Sequence, residues 1–223
     1  MKKLLTIGLL VATTLALALT SCKNNVDLPG NWTKDAQLTE GEVAVYGVGK
    51  LTVSGLTATY ELQPSALAAN YKNRGENIYF ANPFTLTKEK NYTGCKVDVT
   101  SNCKGGFGIV FNCDSTPGAV SYYRLQINAN GYYYIEKIAN DSETPVKDWD
   151  KNDAICKAPQ KNSIVIYKEK KDIAIQVNGT EIFRIKDAEL TSGSYGVTCN
   201  IGHQDIVDDV KIKSEFKFKE FQY

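Results

Sequence analysis

The chain has a single histidine, His203, among its 223 residues, and that scarcity bears on several chemistries at once. A Ser-His-Asp hydrolase or a Cys-His nucleophile would rest wholly on this one side chain. The segment around it, Gly202-His203-Gln204-Asp205, reads as a loop beside the final strand and offers no partner for such a role. No cysteine spacing fits a zinc site. Charge of one sign is lacking too: 26 basic residues stand against 25 acidic ones, which argues against a face for nucleic acid. Beyond the N-terminal segment no apolar run approaches the roughly 20 residues that span a bilayer. Internal repeats and low-complexity stretches are missing, and helix is almost absent, with only Ser65–Asn70 suited to a short turn.

What is present begins at the N-terminus. Lys2 and Lys3 precede an apolar run from Leu4 to Leu19, the layout of a secretory signal peptide. The following Leu19-Thr20-Ser21-Cys22 resembles the lipobox of bacterial lipoproteins. That resemblance implies cleavage after Ser21 and a diacylglyceryl anchor on Cys22, each buried CH₂ contributing about 0.8 kcal/mol to membrane attachment. It also implies a cell-envelope location. Lys23 stands where some bacteria place an inner-membrane retention aspartate, so an outer-membrane or surface position is expected, with the periplasmic face as the alternative. Residues 22–31 read as a polar tether and residues 32–223 as one domain, large enough for a sizeable core. Loss of the leader removes two lysines and leaves the remainder at a net charge of −1.

With Cys22 committed to lipid, Cys95, Cys103, Cys113, Cys156 and Cys199 remain, an odd set that leaves at least one thiol unpaired. Cys95 is in register with Val97 and Val99, and Cys113 with Phe107, Ile109 and Phe111. A hairpin turning near Lys104-Gly105-Gly106 would point both inward, so a Cys95–Cys113 bridge is the preferred pairing, possible because exported proteins keep disulfides. The other reading makes them small buried hydrophobes.

Nearly every apolar segment is short, rich in Val, Ile, Tyr and Phe, and bounded by glycine or asparagine, which is strand punctuation. About fourteen such segments run from Val43–Tyr46 to Ile206–Lys213, among them Ile78–Phe80 and Phe84–Thr87, and that number implies two packed sheets. Val177-Asn178-Gly179-Thr180 carries the strongest hairpin signal, because Asn-Gly tolerates the positive φ angles of a type I′ turn. Asn128-Ala129-Asn130-Gly131 similarly joins Tyr122–Asn128 to Tyr132–Ile138.

The order of these pieces resembles a known family. Gly106-Phe-Gly-Ile-Val-Phe111, Tyr122-Tyr-Arg-Leu, Asn130-Gly-Tyr-Tyr-Tyr-Ile-Glu-Lys137, Trp149, Ile173-Ala-Ile-Gln-Val-Asn-Gly179, Gly193-Ser-Tyr-Gly-Val197 and Asp208-Asp-Val-Lys-Ile212 are similar to successive strands of concanavalin A-like (laminin-G-like) lectin and glucanase jelly rolls. The resemblance covers about Trp32 to Phe218. It implies an all-β sandwich of two curved antiparallel sheets, with a ligand bound on the concave face or at its rim loops. Members include lectins, hydrolases, lyases and structural modules, so fold leaves function open.

Retaining glucanases of this fold carry Glu-x-Asp-x-x-Glu, which sets two carboxyls about 5–5.5 Å apart. Here no Glu is followed two positions later by Asp. Asp148/Asp150, expected in a loop, and Asp208/Asp209 read as solvated surface. Asp205, Asp208 and Asp209 form the densest carboxylate group and would suit Ca²⁺, but the lectin pattern of Glu-x-Asp with a downstream histidine is missing. No catalytic residue, metal site or cofactor is therefore assigned.

Aromatic residues give the clearest ligand signal. Alternation places Tyr122, Arg124, Gln126 and Asn128 on one face of their strand and Tyr123, Leu125 and Ile127 on the core side. Tyr122, Arg124 and Gln126, with Trp149, are the expected ligand-binding residues, since sugar rings stack on aromatic faces and polar neighbours bond hydroxyls. Tyrosines that merely suit strands are the bland alternative. The expected function is a lipid-anchored, non-catalytic binding or adhesion module for a glycan. A diverged carbohydrate-active hydrolase or lyase, and a structural envelope protein or host-protein binder, are the alternatives.

Overall fold

Asn178 and Gly179 take φ of 51° and 83°, the backbone a two-residue I′ turn needs, and join β11 (Asp172–Val177) to β12 (Thr180–Ile185) as expected. At the second turn Gly131 has φ 87°. The side-chain oxygen of Asn128 accepts hydrogen bonds from the amides of Asn130 and Tyr132, closing β7 (Ser121–Ile127) on β8 (Tyr132–Ala139).

The computed structural model describes residues 27–45, 49–64, 86–116, 119–140 and 142–223. The leader, Cys22 and the rest of the first half of the tether, Ser65–Asn70, Ile78–Phe80 and the first half of Phe84–Thr87 lie outside the described residues. The remaining strands are β1 (Trp32–Thr33), β2 (Gly41–Val45), β3 (Gly49–Ser54), β4 (Thr57–Leu62), β5 (Gly94–Ser101), β6 (Gly106–Asp114), β9 (Ser142–Lys151), β10 (Asn162–Glu169), β13 (Ser194–Asn200) and β14 (Ile212–Gln222). One sheet has nine strands, in the order β12-β11-β10-β5-β14-β4-β3-β2 with β1 also on β14. The other has five, β13-β6-β7-β8-β9, and every pairing given for these strands is antiparallel.

Period-two alternation turns one face of each sheet inward. Val97, Ile175 and Phe216 from the nine-stranded sheet meet Phe111, Leu125 and Val197 from the five-stranded one in a single core. Buried polar atoms stitch the layers: the Tyr60 hydroxyl donates to the Val197 carbonyl and the Tyr133 hydroxyl to the Ile182 carbonyl, both at 3.2 Å. Among the described residues no helix is long and apolar enough to cross a membrane.

Three expectations are corrected. Cys95 and Cys113 form no bridge: the turn at Lys104-Gly105-Gly106 is a crossover between sheets, not a hairpin, and only Cys95 faces the core. A bulge also intervenes: Asn112 takes φ 51° and the β6–β7 register shifts after Phe111. Cys113 is thereby thrown to the outer side, beside Lys90 and Glu189. All five described cysteines are thiols.

Ile206–Lys213 is not one strand. It holds the second half of a helix, α1 (His203–Asp208), and then the start of β14. The Asp205 carboxylate accepts from the Gly202 amide at 2.9 Å, and Asp209 ends the helix in the left-handed region at φ 49°. Lastly, Asp148, Trp149 and Asp150 lie on the edge strand β9 and not in a loop. That strand carries Pro145 and mostly exposed polar residues, so its sequence lacks the alternation by which strands are recognised.

Candidate ligand groove

The outer face of the five-stranded sheet carries the residues that alternation excludes from the core. On β7, Tyr123, Leu125 and Ile127 point inward, leaving Arg124 and Gln126 outside; on β8, Tyr133 and Ile135 point inward, leaving Tyr134 and Glu136 outside. The register set by the Asn130-Gly131 turn puts Arg124 directly opposite Glu136. Glycine makes the surface beside them low. A Cβ at Gly106 would come within 2.6 Å of the Gln126 side-chain oxygen, and one at Gly108 within 1.9 Å of the Leu125 carbonyl oxygen.

These polar groups are deeply set, with Arg124 5 %, Gln126 4 %, Glu136 2 % and Asn200 3 % exposed. Arg124 Nε donates to Glu136 Oε1 at 2.6 Å, with Nη2 in ion-pair contact with the same oxygen at 2.5 Å, and Nη2 donates to Glu143 Oε1 at 3.3 Å. Gln126 Nε2 donates to the same Glu136 oxygen at 3.2 Å. Burial pushes the Glu136 carboxyl above its ordinary pKa, against the pull of Arg124. Across the hollow the Trp149 ring stacks on Tyr134, with centroids 5.4 Å apart and planes 24° apart.

Arg124, Gln126, Tyr134, Glu136, Glu143, Trp149 and Asn200 enclose a cavity of about 350 Å³. Trp149 also borders a second cavity of about 430 Å³, lined by Lys104, Gly105, Asn128, Asn130, Tyr132, Gly202, His203 and Gln204. The two make one groove with an indole at its middle. Its far end is held rigid by Asp205, whose carboxylate accepts from the amides of Lys104, Gly105 and Gly202. A hollow of about 560 Å³ lies elsewhere, over β2, β3 and β4, but charged residues such as Glu42, Lys50, Glu61 and Lys211 line it and no aromatic ring does.

Three of the four expected ligand residues, Arg124, Gln126 and Trp149, come together here. Tyr122 stands one step along the same face, half-buried, its phenol pKa raised mainly by burial, and does not line the cavity. Tyr134, Glu136, Glu143 and Asn200 complete the lining and were missed. Counting outward from the Asn130-Gly131 turn points to Glu136. Nothing local points to Asn200, which reaches the site through the pairing of β13 with β6.

The carboxylates considered for Ca²⁺ are otherwise engaged. Asp205 caps three amides, Asp208 pairs with Lys104 and Gln204, and Asp209 bonds Gln63. Among the described residues no three His, Cys, Asp or Glu side chains gather as a metal site. His203 is the exposed first residue of α1 and borders the second cavity.

No protein family's sequence profile matches the chain, and no curated protein matches it in sequence. Solved structures do match in shape. A β-glucanase of Bacillus licheniformis superposes with a TM-score of 0.51 at 8% identity, over 88% of this chain and 94% of that one. A glycosidic hydrolase gives 0.51 at 11% identity, over 77% and 80%. A structure described with endo-acting O-glycanases of the human gut microbiota gives 0.50 at 12% identity, over 91% and 97%. At such identities the likeness establishes architecture: the chain is a two-sheet antiparallel jelly-roll sandwich.

Proposed function

We propose that the protein is a glycan-binding module that presents the groove on its five-stranded sheet from a lipid anchor at Cys22, in the bacterial cell envelope and facing outward from the outer membrane. The observation that carries the binding role is Trp149, an indole 38 % exposed, stacked on Tyr134 where two cavities meet, the first of them floored by buried polar groups. An apolar plane beside a few fixed hydrogen-bonding groups suits a sugar ring. The groove also counts against a structural envelope role, for which a flat face is expected.

Catalysis is the second reading, favoured by one observation: Glu136 has a raised carboxyl pKa and Glu143 stands nearby, as a general acid and its partner would. Against it, one guanidinium nitrogen of Arg124 lies 2.5 Å from Glu136 and 3.3 Å from Glu143, so both carboxylates are tied to a cation. Lipid attachment is supported by the Leu19-Thr20-Ser21-Cys22 signature.

Purified protein is expected to bind an oligosaccharide on a glycan array, with Trp149→Ala weakening binding at least tenfold. Trp32→Ala, which removes the indole under Lys96 on the other sheet, should leave binding unchanged. Turnover of a polysaccharide that Glu136→Gln abolishes would replace binding with catalysis. Radiolabelled palmitate incorporated by the wild type and not by Cys22→Ala tests the anchor.

A further inference from the structure

Two buried side-chain polar atoms among the described residues have no hydrogen-bond partner. One is the Tyr92 hydroxyl, on a ring packed against Phe221 and Tyr223. The other is Asn200 Oδ1, and Asn200 lines the groove next to Gln126 and Trp149. A buried acceptor left unmet is costly, and folded proteins rarely keep one without a use. The terminal torsion of asparagine is soft, so a small turn presents this oxygen to whatever occupies the cavity. The ligand it fits donates a hydrogen bond.

The charges along the groove narrow the ligand further. In the cavity that holds Asn200 and Trp149 the one basic side chain, Arg124, is held by Glu136 and Glu143; Lys104 and His203 border only the second cavity, with Lys104 in an exposed pair with Asp208. Around Arg124 two carboxylates face one guanidinium. An anionic group seated beside Asn200 would find no unpaired cation among the lining residues of that cavity and would meet Glu143, whose side chain is 62% exposed.

We infer that the groove selects uncharged glycans over uronate-bearing or sulfated ones, and that Asn200 is the dedicated acceptor for a sugar hydroxyl beside the Trp149 ring. This rests on the glycan reading above. Asn200 acts on the ligand and not on the fold, so removing its amide relieves an unmet polar group at the cost of binding.

The test is calorimetric titration of the intact protein with neutral hexasaccharides of glucose, galactose, mannose and xylose, and with hexasaccharides of galacturonic acid and of a sulfated galactan. At least one neutral probe should bind at least tenfold more tightly than either anionic probe. Asn200→Ala and Asn200→Ser should each weaken that binding at least tenfold while melting at or above the wild-type temperature. Tighter binding of an anionic probe, lost in Trp149→Ala, would overturn the charge selection and leave the glycan reading intact. Neutral binding unchanged in both Asn200 variants would overturn the role of Asn200 alone. An Asn200→Ala protein that melts lower than wild type yet binds normally would mark Asn200 as structural. Failure of every probe to bind would sink the glycan reading, and the selection with it.

Discussion

The two sheets carry charge on their outer faces in opposite ways. On the nine-stranded sheet Lys217 pairs with Glu215 at 2.8 Å, with side chains 51% and 31% exposed. Asp98 meets Lys161 at 3.2 Å and Lys219 at 3.6 Å while those lysines remain more than half exposed. On the five-stranded sheet Arg124 and Glu136 side chains are 7% and 3% exposed, with buried Gln126 bonded to the same carboxylate and exposed Glu143 at the rim. Solvated pairs keep their water and cost little to make or break. A buried pair gives up its hydration, and fold stability alone offers little reason to keep it where apolar residues would pack as well. Polar groups set that deep, beside an indole and an unmet amide oxygen, are what the proposed binding role rests on.

The largest effect that could break this contrast is on stability. Arg124→Leu leaves Glu136 buried without its main cation and is expected to cost about 3–5 kcal/mol, read from urea unfolding. Replacing both residues, Arg124→Leu with Glu136→Leu, should recover most of that loss, because no charge is then stranded. A cost below about 1 kcal/mol for the single change would mean that this face is as well hydrated as the other.

Next in size is the response to acid, where one carboxyl from each face should behave oppositely. Glu136 is raised above its ordinary value of 4.5 by burial. The folded state therefore holds the proton more tightly than the unfolded one, and stability falls as pH rises from 4.5 through the folded value. Burial also opposes ionisation of Asp98, but the Ser163 hydroxyl and the Lys161 ammonium outweigh it and hold its carboxyl below 3.8. Its contribution is present above that pH and lost as pH falls through the folded value. Unfolding free energies followed from pH 3 to 7 should show Glu136→Gln removing a decline on the rising side. Asp98→Asn should make the acid side shallower. Parallel profiles for the two variants would erase the distinction between the faces.

Much of this was legible in the sequence where the signal is local. Alternation along Tyr122–Asn128 separated Arg124 and Gln126 from the core, and Asn178-Gly179 and Asn130-Gly131 set two registers. What could not be read depends on partners distant in sequence. Cys95 and Cys113 share inward periodicity on paper, yet the chain changes sheets between them and Asn112 inserts a bulge. Edge strand β9 is polar along most of its length, so Glu143 and the setting of Trp149 were hidden. Asn200 becomes a site residue only because β13 lies against β6, and α1 forms because Asp205 finds three amides brought in from two loops.

The smallest expected effect sharpens the comparison from the solvated side. Lys217 lies opposite Asp98 in the β14–β5 register and pairs with Glu215 along its own strand. Contact with Glu215 raises its ammonium pKa, yet both side chains stand in water, where screening and lost rotamer freedom offset the attraction. Lys217→Ala is expected to leave the urea midpoint within experimental error of the wild type and oligosaccharide affinity untouched. The same denaturation and titration experiments check both. A loss near that of Arg124→Leu would show that the ladder of charges on β5 and β14 holds the nine-stranded sheet together. The depth of burial would then no longer separate a face kept for binding from a face kept for solubility.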